Sequence, residues 1–140
     1  MRKELDEALC RNFPNLYSRR HGDPRDTCMC FGFECGDGWY DLIREASRKI
    51  EELILELPEA DREGVFAEQV KEKFAGLRLY MSGMPTQIYS RVQEVIREAE
   101  KKSFETCERC GKPGELYTGG WLHTLCPEHA EGRTKYESRD

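Results

Sequence analysis

Four residues in the last third of the chain, Cys107, Cys110, Cys126 and His129, place the strictest condition on its folding. They read Cys-x2-Cys, a spacer of fifteen residues, then Cys-x2-His. Thiolate and imidazole are the ligands that tetrahedral zinc prefers, and two close pairs brought together supply four of them. Gly111, directly after the second cysteine, suits a tight metal-binding turn because it carries no Cβ. The pattern predicts a closed Cys3His zinc site. With all four positions filled by protein, such a site has none for substrate, so the zinc is expected to be structural.

The remaining bounds are broad. A chain of 140 residues has room for one modest core, and a single domain over 1–140 is expected. Charged residues make up 35% against 38% hydrophobic, polar for a folded protein but not the composition of a disordered one. The formal charge of −5 argues against a surface that attracts nucleic acid or anionic membrane as a whole. No apolar run approaches the ~20 residues that span a bilayer, and the opening MRKELDEALC lacks the apolar stretch of a signal peptide. Seven cysteines, an odd number with metal-type spacing, fit a reducing cytosol better than a disulfide scaffold. A soluble, cytoplasmic protein is therefore expected.

Two helices are legible. Leu42, Ile43, Ala46, Ile50, Leu53, Ile54 and Leu57 recur at three and four residues, the spacing of one buried face, in a helix that Asp37 could cap and Pro58 would end. Ile88, Val92, Val95, Ile96 and Ala99 make the same stripe in a second helix from about Pro85 to Lys102. A shorter helix is expected over 2–12, stopped by Pro14, and a glycine-punctuated loop from Leu16 to Gly38.

Between the helices, Leu77, Leu79 and Met81 alternate with Arg78, Tyr80 and Ser82, and a hairpin over 65–82 turning at Ala75-Gly76 is expected. Pairing Phe74 with Leu77 sets Glu72 against Leu79, Val70 against Met81, Lys73 against Arg78 and Lys71 against Tyr80. A one-residue slip would scramble the faces. One face is then largely apolar, and the other carries Lys71, Lys73, Arg78 and Tyr80. Basic groups beside an aromatic can hold phosphate oxygens and stack on a base, so these four are the candidate ligand-binding residues. Arg19, Arg20, His21 and Arg25 could extend the patch. The plain alternative is a solvated strand face whose lysines interleave with Glu68 and Glu72. Glu72 in the apolar row needs a partner or solvent.

The C-terminal segment 104–130 is expected to hold the ligands around a hairpin of Glu115–Tyr117 and Trp121–His123 that turns at Gly119-Gly120, with 131–140 a disordered tail. His123 is the one substitute ligand in reach of the motif. A second metal set could be drawn from His21, Cys28, Cys30 and Cys35, but small apolar residues packing a loop onto the core are the simpler reading. Trp39, Tyr40 and Trp121 could stack on a ligand or anchor helix and hairpin to the core. There is no His-Glu-x2-His, no phosphate-binding glycine loop and no nucleophile elbow, so no catalytic residues are assigned.

The strings CMCFGFECGDGWYDLI (28–43), QVKEKFAGLRLY (69–80), CERCGKPG (107–114) and GGWLHTLCPEH (119–129) resemble a family of small uncharacterised proteins of tailed bacteriophages and prophages. The resemblance implies a protein made in the cytosol of an infected bacterium and supplies no activity. Ala75 stands where that pattern would have a second glycine before Gly76.

The expected architecture is thus α+β: two main amphipathic helices packed on a β-hairpin, closed by a C-terminal zinc ribbon or knuckle. The leading functional expectation is a non-catalytic, zinc-stabilised phage accessory protein that binds and blocks a host bacterial protein, as in counter-defence. The alternative is a nucleotide or nucleic-acid binder using the basic-aromatic strand face. A metal-assisted hydrolase stands third, since it needs an open coordination position.

Overall fold

Burial falls where the two apolar stripes put it. The computed structural model describes residues 1–137, and in it Tyr40–Leu55 form helix α2 and Thr86–Ser103 form helix α4, which pack together. Ile43, Ile50, Ile54, Ile88 and Val92 are all fully or almost fully buried, in one continuous core. Helix α1 (Lys3–Asn12) adds Leu9, and α3 (Glu59–Arg62) is a single turn after Pro58. Asp37 does not cap α2. It lies in a short 3-10 helix, Asp37–Trp39, and its carboxylate accepts from the Arg2 backbone N–H at 2.7 Å and pairs with the Arg2 guanidinium.

The hairpin is present, as strands β2 (Ala67–Lys73) and β3 (Gly76–Met81). A two-residue strand β1 (Phe33–Glu34), unforeseen in the loop, joins β2 in parallel and completes a sheet in the order β1-β2-β3. The register differs from expectation. Lys73 pairs with Gly76, Glu72 with Leu77, Lys71 with Arg78, Val70 with Leu79 and Gln69 with Tyr80, so the two turn residues are Phe74 and Ala75. Both have positive φ, 52° and 72°, as a hairpin turn of the primed type requires.

Gly76 serves packing rather than the turn: a Cβ there would lie 2.4 Å from the Phe104 ring. The turn is instead held from outside. Ala75 N–H donates to Glu72 at 2.8 Å, and its carbonyl accepts from the Thr124 hydroxyl at 2.9 Å. Glu72, the acid in the apolar row, thus caps the turn. Because each residue meets a partner two positions away from the expected one, the faces keep their composition.

The C-terminal sheet is built from β4 (Glu115–Thr118), β5 (His123–Leu125) and β6 (Thr134–Lys135), in the order β5-β4-β6. The second strand of this hairpin starts at His123 rather than Trp121, since Tyr117 pairs with His123 and Gly119–Leu122 form the loop. The expected disordered tail is corrected over its described part: Thr134 and Lys135 pair with Thr118 and Tyr117. The rest of that segment, 138–140, lies outside the described residues. Among the described residues, no helix is long and apolar enough to cross a membrane.

Candidate metal centre

Three local structures bring the motif together. Residues 105–114 fold back on themselves, with Thr106 bridged to Pro113, the Cys107 N–H donating to the Lys112 carbonyl at 2.8 Å and the Gly111 N–H to the Cys107 carbonyl at 2.9 Å. Gly111 takes the left-handed φ of 83° that this turn demands. Strand β5 then delivers Cys126, and a turn closed by His129 N–H to the Cys126 carbonyl at 3.1 Å points the histidine back. Finally, the Glu108 N–H donates to the Thr124 carbonyl at 3.0 Å, which fastens the first turn to β5.

The result is a tight set. Cys110 Sγ lies 3.7 Å from Cys126 Sγ, Cys126 Sγ 3.3 Å from His129 Nδ1 and Cys107 Sγ 3.6 Å from the same nitrogen. All four ligand atoms fall within 4.8 Å of one another. Cys107 and Cys126 are buried, His129 half-buried and Cys110 exposed. The electrostatics match the geometry. Burial pushes the Cys107 thiol up, but backbone N–H groups of Cys126, Cys110 and Arg109 and the His129 ring outweigh it and hold the thiol at about 6. At Cys110 the Lys112 N–H favours the thiolate, yet desolvation and the adjoining thiols of Cys107 and Cys126 leave it raised. A divalent cation among the sulfurs would offset the repulsion between neighbouring thiolates. The donor set and spacing fit a metal ion.

The site is bonded to the helical body. The Gly38 N–H donates to the Glu108 carbonyl at 2.7 Å, the Gly36 N–H to the Glu108 carboxylate at 2.9 Å and the Trp39 indole N–H to the Thr106 carbonyl at 2.9 Å. Trp39 is therefore an anchor, fully buried, whereas Trp121 is 78% exposed. Tyr40 is partly buried against the core.

Among the described residues this is the one cluster of three or more potential ligands. His21, Cys28, Cys30 and Cys35 do not gather. His21 and Cys28 are exposed, Cys30 donates to the Thr27 carbonyl at 3.2 Å and Cys35 is buried. His123, the substitute ligand, lines a cavity with Glu108, Arg109 and Arg133 instead.

Lys71, Lys73, Arg78 and Tyr80 do share a strand face. Arg78 is ion-paired with Glu100, and Lys73 reaches over the Phe74 ring at 5.7 Å. Tyr80 lines a groove of about 340 Å³ with Arg25, Asp26, Glu68 and Gln69, in which Arg25 is paired with Asp23. Of the upstream cations, Arg20 bonds Asp6 and the Cys30 carbonyl, and Arg19 lies over Phe66.

Comparison with family models, with curated protein sequences and with solved structures finds no match to this chain.

Proposed function

We propose that the chain is a non-catalytic binding protein whose C-terminal third is a zinc ribbon, and that it acts in an infected bacterium by occupying a host protein. The observation that supports the zinc part of this reading is the meeting of four potential protein ligands at one point, and the host-binding part rests on the sequence resemblance. Zinc–sulfur and zinc–nitrogen bonds of about 2.3 and 2.0–2.1 Å put tetrahedral ligand atoms roughly 3.6–3.8 Å apart. The separations of 3.3, 3.6 and 3.7 Å lie near that spacing, and the remaining pairs, all within 4.8 Å, would close by up to about 1 Å around the ion. Bound there, zinc would serve as a crosslink between the Cys107–Cys110 turn and the Cys126–His129 turn, with no coordination position open to a substrate.

The groove beside Tyr80 favours a second reading, in which this face holds a nucleotide. Asp26 and Glu68 in its wall and the engagement of Arg78 by Glu100 weigh against phosphate there. Native mass spectrometry of protein purified from bacterial cytosol without chelator separates the two. A chain carrying one zinc and a stoichiometric bacterial protein supports occlusion. A chain carrying one zinc and a nucleotide supports the second reading and refutes the first.

A further inference from the structure

We propose that a cavity beside the metal centre receives one acidic side chain of a protein partner. The cavity, of about 180 Å³, lies between the Cys107–Gly111 turn and strand β5 and is lined by Gly36, Glu108, Arg109, His123, Leu125 and Arg133. At ~30 Å³ per water it has room for about six waters, enough for a carboxylate and its shell.

Neither of its two arginines is spent on a carboxylate. Among the described residues no ion pair involves Arg109 or Arg133, which share this with Arg11, Arg19, Arg44, Arg62 and Arg97, whereas Arg2, Arg20, Arg25, Arg48, Arg78 and Arg91 each have a carboxylate partner. Arg133 donates to the Trp121 carbonyl at 3.3 Å, which ties the β4–β5 loop to the rim of the cavity. His123 senses both guanidinium groups: burial holds its imidazole below the ordinary range, Arg133 and Arg109 lower it further, and Glu72 opposes them.

The acid in the lining, Glu108, offsets part of this charge. Glu108 accepts the Gly36 N–H, and Glu72, outside the lining, accepts the Ala75 N–H. They set the charge of the guest. Two arginines and Glu108 in the lining leave one net positive charge, which balances a monoanion but not a phosphate dianion, and Glu72, outside the lining, adds to the repulsion of the dianion. The guanidinium fork matches a carboxylate with two parallel hydrogen bonds. Trp121 gives the neighbouring residue of a peptide an aromatic surface, and tryptophan and arginine are both enriched among the residues that carry most of the binding energy at protein interfaces. On a chain of net charge −5, a pocket of this sign selects its ligand locally.

The inference rests on the binding-protein reading, but its test needs no native partner, so its failure would leave that reading standing. The zinc-loaded chain is titrated with a capped hexaglutamate peptide while the side-chain Nε–H signals of Arg109 and Arg133 are followed by NMR, with inorganic phosphate and capped hexaglutamine as parallel arms. Saturable shifts of both signals with hexaglutamate, and none with hexaglutamine, are expected. Arg109→Ala/Arg133→Ala should weaken binding at least about tenfold. Arg133→Lys keeps the charge and removes the fork, and should weaken it severalfold. Arg97→Ala, on the exposed face of α4, should leave it unchanged. Undiminished binding in the double variant, equal weakening by Arg97→Ala, or phosphate binding tighter than the peptide would each overturn the assignment.

Discussion

The indole N–H of Trp39 donates to the Thr106 carbonyl at 2.9 Å, so the residue that opens helix α2 is bonded to the residue preceding the first metal ligand. This contact, between residues sixty-seven positions apart, joins the candidate metal centre to the main core. Beside it, Gly38 lies so close to the Cys-x2-Cys turn that a Cβ would sit 2.1 Å from the Cys107 carbonyl oxygen and 2.6 Å from the Gly111 nitrogen. Backbone atoms on both sides leave no flexible group to yield. Gly38→Ala is expected to destabilise the protein by about 3 kcal/mol, the upper range for overpacking. Gly64→Ala, where a Cβ meets nothing within 4 Å, should change stability by under about 0.5 kcal/mol. Urea unfolding of both variants checks the contrast.

Glu51 holds the loop after α1 onto α2. Its carboxylate accepts the Asn15 N–H at 3.2 Å, the Asn15 side-chain amide at 2.9 Å and the buried Leu16 N–H at 2.8 Å. Glu51→Ala leaves the Leu16 N–H without its partner next to a fully buried side chain and should cost about 3 kcal/mol. A loss below 1 kcal/mol in urea unfolding would show that water replaces the carboxylate.

The hairpin turn carries two residues in a conformation that L side chains resist. Phe74, with φ 52° and 61% exposed, contributes little burial in return. Phe74→Asn should stabilise the protein by about 0.5–1 kcal/mol, because asparagine tolerates the left-handed region and favours this turn. An unchanged or lowered midpoint of unfolding would mean that the Lys73–Phe74 contact outweighs the strain.

Cys35 makes stability fall at high pH. Burial, helped by the negative charge of Glu108, pushes its thiol from 9.0 up to about 12. The unfolded chain gives up this proton near pH 9 while the folded chain keeps it, so the contribution is intact below pH 9 and is lost as pH rises toward 12. The slope is at most about 1.4 kcal/mol per pH unit for this one thiol. Cys35→Ser, which does not titrate there, should flatten the fall between pH 9 and 11 in denaturant titrations. Identical slopes would place the alkaline loss on other groups.

What could be read beforehand follows the range of the forces involved. Helix periodicity and ligand spacing are local patterns, and Ile43 to Ile54, Ile88 to Ala99 and the four candidate ligands lie where they imply. Strand register depends on distant partners. Nothing near Gly76 in sequence shows that Phe104 will lie against it, or that Glu72 and Thr124 will hold a turn at Phe74-Ala75. The same applies to strand β1, whose two residues pair with a segment thirty-seven positions away. Arg109, His123 and Arg133 are likewise separate in the chain and meet only once β5 and the first metal-binding turn are bonded together.

The account turns on the Cys3His centre, and X-ray absorption at the zinc edge tests it most directly. Protein purified without chelator should contain one zinc per chain, four-coordinate, with three sulfurs at about 2.3 Å and one nitrogen at about 2.0 Å. Cys110→Ser should lose the metal, with hydrogen exchange rising across 104–130 while α2 and α4 stay protected. A water or carboxylate oxygen in the zinc shell, or a full complement of zinc in Cys110→Ser with an intact C-terminal sheet, would contradict the closed structural centre on which the functional reading depends.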